Sequence, residues 1–170
     1  MGEKEKFIDE NPFDEVEMPA QDIRDKQGDK YLSFSITQLQ AIFNTPVYRG
    51  CMNNKLGRMT PGKKIYRDAY FWVPLISLYS GARLNEICQL SLDDVRIKEG
   101  INIIHISNVE GKKVKTSAGH RDLPIHPVLL KLGFLGYVEQ QRKDKNNKSK
   151  RLFPELKLNS RNEYSAGMSK

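Results

Sequence analysis

The run from Tyr66 to Ser80 (YRDAYFWVPLISLYS) constrains this chain more than any other feature. Its residues are apolar on nearly every side of a helix, so the segment must be buried all round and the other elements must pack about it. Pro74 falls inside it and predicts a kink or local adjustment. The continuous apolar part, Tyr70 to Tyr79, is far shorter than the roughly 20 residues a membrane span needs. A central helix of a water-exposed domain is therefore expected, with no membrane partner. Ser80-Gly81 breaks the helix, and a short second one, ARLNEICQL, starts at once with Leu84, Ile87 and Cys88 spaced to face the core.

The remaining elements follow from local chemistry. FSITQLQAIF predicts a helix with Ser35 as N-cap, Gln38 three residues on, and Leu39, Ile42 and Phe43 as its apolar face. Pro46 stops it, and residues 49–64 form a basic loop containing Gly and Pro. After Leu92 the period changes. VRIKEGINIIHIS predicts two strands joined at Glu99-Gly100, and RDLPIH predicts a third. A helix restarts at Pro127 (PVLLKLGFLGYVEQQRK), followed by a basic segment, residues 142–151, expected to be a mobile loop, and then RLFPEL. Helices, a small three-stranded antiparallel sheet and a further helix make an α+β domain, mostly α.

Charge is distributed unevenly. Residues 1–30 carry a net charge of −5 and residues 31–170 a net charge of +12. An acidic, proline-marked opening without apolar period reads as a linker, and a basic body suggests a polyanion-binding surface. Cys51 and Cys88 stand far apart without metal-ligand spacing, which argues against a disulfide framework or a zinc site and for a reducing, cytoplasmic setting.

Arg83 and Glu86 share one face of the short helix at i and i+3. Taken alone they form an ordinary surface pair. In context, SLYSGARLNEICQLSLDDV resembles the segment of tyrosine recombinases, the phage integrase family, that carries the first catalytic arginine. There a helix ends in Thr/Ser-Gly, Arg-x-x-Glu follows, then Leu, then an aspartate that opens a sheet. Here these are Ser80-Gly81, Arg83, Glu86, Leu90, and Asp93 or Asp94. KTSAGHRDLPIHP is similar to the family's β-hairpin, which places the catalytic lysine at Lys115 and the strand end at Leu123-Pro124-Ile125. Lys112 and Lys113 stand close enough to be alternatives. IHPVLLKLGFLGYVEQQR and RLFPEL resemble the helix and the Leu-Phe-Pro segment that follow.

The resemblance covers roughly residues 31–158 and implies part of a recombinase catalytic domain. Residues 1–30 would be the linker from a separate core-binding domain, and 159–170 the tail of the partial domain. It implies double-stranded DNA as partner, a synaptic tetramer of protomers for the intact protein, a phage or bacterial origin, and no metal or nucleotide cofactor. Arg83 would hold the phosphate, Glu86 would orient it, and Lys115 would protonate the departing 5′ oxygen. Arg49, Lys55, Arg58, Lys63, Lys64, Lys112, Lys113, His120 and Arg121 are the candidate DNA contacts. One departure is plain. The family's His-x-x-Arg motif and later nucleophilic tyrosine are missing: three residues after His105, His120 and His126 stand Asn108, Leu123 and Leu129. The chain is therefore expected to be cut before that part of the domain and inactive in cleavage, and Tyr164 is expected to be a surface tyrosine.

Overall fold

A computed structural model describes residues 33–107 and 120–168 of the chain. The chain divides into two units between Ile36 and Thr37, and the second unit holds every element below apart from the first residue of the first helix. Residues 1–30, Lys112, Lys113 and Lys115 lie outside the described residues.

Among the described residues, six α-helices and three strands make a mixed α+β fold: α1 (Ile36–Phe43), α2 (Pro46–Arg49), α3 (Ala69–Ser80), α4 (Leu84–Cys88), β1 (Val95–Lys98), β2 (Ile101–Ile106), β3 (Arg121–Pro124), α5 (Pro127–Lys131) and α6 (Phe134–Lys143). The strands form one antiparallel sheet in the order β1-β2-β3. Lys98 pairs with Ile101 across a two-residue turn in which Glu99 and Gly100 both take positive φ, the geometry that suits a tight hairpin.

The central helix is α3, but it begins later than its apolar pattern suggests. Asp68 caps it by accepting a hydrogen bond from the Tyr70 N–H at 3.1 Å, and Glu155 accepts one from the Ala69 N–H at 2.6 Å. These carboxylates meet the unpaired donors of the first turn, so Tyr66 and Arg67 stay outside. Trp72 is fully buried, with ring centroids of Phe71, Phe134 and Tyr137 within 4.9–5.7 Å. Burial is not complete along the helix, since Leu78 and Tyr79 near its end are exposed. Gly81, at φ 64, closes it in the left-handed conformation, and its N–H bonds the Ser77 carbonyl.

Three further expectations are corrected. Leu84 is exposed while Ile87 and Cys88 are fully buried, because α4 is a helix of five residues with only one turn against the core. The helix expected from Pro127 is two helices, parted at Gly133, whose φ of 87 no helix accommodates. The basic segment after α6 is a hydrogen-bonded turn: buried Asn147 donates to the Arg151 carbonyl at 2.8 Å, and Leu92 N–H bonds the Lys150 carbonyl at 2.9 Å. Leu152, Phe153 and Leu156 of the following segment enter the core. No helix among the described residues is long and apolar enough to cross a membrane.

Candidate functional site: a carboxylate between two arginines

Helix α4 is held from several sides. The Leu90 carbonyl accepts from the Leu152 N–H at 2.9 Å, and Arg151 donates to the Cys88 carbonyl at 2.5 Å. The Asn85 side-chain oxygen accepts from the N–H groups of Tyr164 and Ser165 at 3.0 and 3.2 Å. Tyr164 is half-buried and lies with its ring centroid 3.2 Å from the Arg151 guanidinium carbon, so it is a packing residue rather than a loose surface one. The Asn85 bonds fix a residue within the Arg83–Glu86 turn, and those to Cys88 and Leu90 hold the end of α4 and the chain just after it.

Arg83 is the residue before α4, not a member of its first turn. Its backbone N–H donates to Glu86 Oε2 at 3.0 Å, and its guanidinium Nη1 donates to Glu86 Oε1 at 3.0 Å. One carboxylate thus satisfies the open end of the helix and orients the arginine that precedes it. A second arginine arrives from the sheet. Val95, Ile104 and Ile106 of the sheet are buried, and Arg121 pairs with Ile106, so it shares the face turned to the helices. From there Arg121 Nη2 reaches Glu86 Oε2 at 2.8 Å.

The burial of these groups differs in a useful way. Glu86 is 3% exposed in its side chain, Arg121 33% and Arg83 56%. Burial pushes the Glu86 carboxyl up, but the hydrogen bond from Arg121, that from the Arg83 N–H and that from the Arg83 guanidinium together outweigh it. The net result holds the group below the usual carboxylate range. The carboxylate is therefore ionised at neutral pH and carries a fixed fork-shaped cation on its exposed side. A planar guanidinium held this way can accept a phosphate on its remaining edge.

The structure brings Arg83, Glu86 and Arg121 together by direct contact. His120, next to Arg121 in the chain, is exposed. The loop residues Arg49, Lys55, Lys63 and Lys64 are also exposed. Arg49 donates to the Asn44 side-chain oxygen, and the Lys64 ammonium sits 4.9 Å from the Tyr66 ring centroid. Arg58 does not fit its expected place as a DNA contact. Its side chain is 13% exposed, forked onto Asp68 at 3.1 and 2.9 Å and stacked on the Tyr70 ring. It anchors the loop to α3. Of the two aspartates that could open the sheet, Asp94 is buried and accepts from the Ser91 N–H and hydroxyl at 2.7 and 2.8 Å, whereas Asp93 is exposed.

One cluster was missed by reading the sequence. Asp122 accepts from Lys98 Nζ at 2.7 Å and meets His105 Nδ1 at 2.6 Å, with Arg96 at 3.9 Å. Hydrogen bonds from Lys98 and His105 lower the Asp122 carboxyl to about 2. The alternation of Arg96 and Lys98 hinted at a charged face, but their partner on β3 depends on strand register across a long connection. This cluster lies on the other face of the sheet from Arg121, because Asp122 is the next residue along β3. Among the described residues no group of His, Cys, Asp and Glu could hold a metal ion. Comparison with protein-family models, with curated proteins and with solved structures finds nothing that matches this chain.

Proposed function

We propose that this chain is part of the catalytic domain of a tyrosine recombinase and holds a phosphate of duplex DNA beside Arg83. The observation that carries the reading is the convergence of Arg83 and Arg121 on the buried Glu86 carboxylate. The two arginines stand 38 residues apart in sequence, one in each of two segments that resemble the family.

The chemistry follows from the arrangement. When a phosphodiester is attacked, charge builds on its non-bridging oxygens, and a preorganised guanidinium stabilises that charge more than it stabilises the ground state. Arg83 would be that donor. Glu86 would act through Arg83, fixing its plane without exchanging a proton. Lys115 would protonate the departing 5′ oxygen in the same scheme. In a recombinase a tyrosine attacks the phosphorus, the 5′ oxygen leaves, and the 3′-phosphotyrosyl bond keeps the ester for resealing. No metal or nucleotide enters that balance. The sequence holds no His-x-x-Arg motif, so the second member of the family's arginine pair has no counterpart here. A second reading is a DNA-binding module derived from a recombinase, in which the same Arg83–Glu86–Arg121 group would hold a backbone phosphate without cleavage.

A nicked duplex that traps cleavage tests both readings. The chain should bind it, with affinity falling steeply as salt rises, and should form no covalent adduct. An adduct mapped to Tyr164 would contradict the proposal, and so would the absence of binding at low salt.

A further inference from the structure

The loop between α2 and α3 carries a second kind of surface. From Tyr31 to Arg67 the sequence contains no acidic residue, while Arg49, Lys55, Arg58, Lys63, Lys64 and Arg67 are basic. The loop is firmly built. Its base is closed by Cys51 N–H to the Lys64 carbonyl and Gly62 N–H to the Gly50 carbonyl, each at 2.9 Å, and its upper part by Met52 N–H to the Thr60 carbonyl at 2.9 Å. At the tip, the Asn53 side-chain oxygen accepts from the N–H groups of Lys55 and Gly57 at 2.9 and 3.0 Å. Arg58 ties this tip to α3 through Asp68 and to the Asn54 carbonyl at 2.5 Å.

Such a framework would normally turn its apolar side chains inward. This one does the reverse. Leu56 is fully exposed, and Met52 and Met59 are 63% and 64% exposed. Leu56 follows Lys55 directly, with Lys63 and Lys64 exposed on the returning strand of the loop. An ordered tip presenting a bare leucine beside Lys55, with Lys63 and Lys64 exposed towards the loop base and no carboxylate from Tyr31 to Arg67, is complementary to a polyanion that offers an apolar interior. Duplex DNA has both: phosphates for the lysines and stacked bases for the leucine. Side chains of this type wedge between base steps where neighbouring contacts hold the protein in place. A membrane surface would also attract cations, but a single narrow tip without an amphipathic helix gives little area to bury there.

We propose that the loop tip is a DNA wedge, with Leu56 entering a base step and Lys55, Lys63 and Lys64 holding the flanking phosphates. The inference rests on the reading of the chain as a DNA-binding protein and adds a contact remote in sequence from Arg83 and Glu86.

The test uses duplexes carrying 2-aminopurine, whose fluorescence rises when its stacking is broken, together with affinity measured on the same duplexes. The wild-type chain should bind and brighten the probe in at least one register. Leu56→Ala, at a position with no packing to lose, should remove the brightening while weakening affinity by about tenfold or less. Lys55→Ala with Lys63→Ala should weaken binding more and flatten its salt dependence by about one unit per contact. Binding without any Leu56-dependent brightening would overturn the wedge and leave the DNA-binding reading standing. No binding to DNA, or binding only to vesicles of anionic phospholipid, would overturn both.

Discussion

A carboxylate buried as deeply as Glu86 survives in ionised form only because its oxygens are met by charged donors on two sides. Removing it would strip the cap from α4 and leave two guanidinium groups facing each other. Glu86→Ala should therefore lower stability at neutral pH by about 1–3 kcal/mol, measured by urea unfolding. Because hydrogen bonds hold the folded carboxyl below its usual value of 4.5, its contribution is fully present above that pH and is lost as pH falls through the lower folded value. The gap between wild type and Glu86→Ala should thus narrow only below pH 4.5, and a gap constant down to full acid unfolding would contradict this account. At this scale the sequence was informative about Arg83 and Glu86, whose i and i+3 spacing places them on one face. It was silent on the bond between Glu86 and Arg121, which depends on how β3 registers against β2. The role of Arg58 was equally hidden, since nothing local says that Asp68 will turn back to meet it.

Elements were legible where a turn residue marked their ends. The Glu99-Gly100 hairpin and the stop of α3 at Gly81 follow directly from positive-φ chemistry. The break between α5 and α6 was hidden because apolar spacing runs on through Leu129, Leu130 and Phe134, so that Gly133 looked like a tolerated helical glycine. The geometry supplies a paired check. Gly133 has a φ of 87, and a Cβ there would stand 3.1 Å from Arg67 Nη1, whose own bond to the Leu132 carbonyl holds it close. Gly136 lies inside α6 with nothing within 4 Å of an added Cβ. Gly133→Ala should destabilise by about 1–2 kcal/mol, and Gly136→Ala should stabilise by roughly 0.5–1 kcal/mol. Thermal unfolding of the two variants would read the signs. Equal effects would mean that the two helices are one.

For the whole molecule, the division of charge frames the functional reading. Ten acidic residues fall in the first thirty, and a strongly basic body follows. Net charge of this kind steers a chain to polyanions but does not say where on the surface they sit. Folding brings the sheet face of Arg121 against α4, and so converts a diffuse excess of cations into one place with fixed donors. This place would hold a phosphate of DNA. Affinity for a duplex of arbitrary sequence, measured against salt for wild type and Arg83→Ala, tests it most directly. Among the described residues the Arg83 guanidinium bonds Glu86, which keeps Arg121, so the variant should remain folded by circular dichroism. Arg83→Ala should bind more weakly, with a salt slope shallower by about one unit. A folded Arg83→Ala chain with wild-type affinity and slope would contradict it.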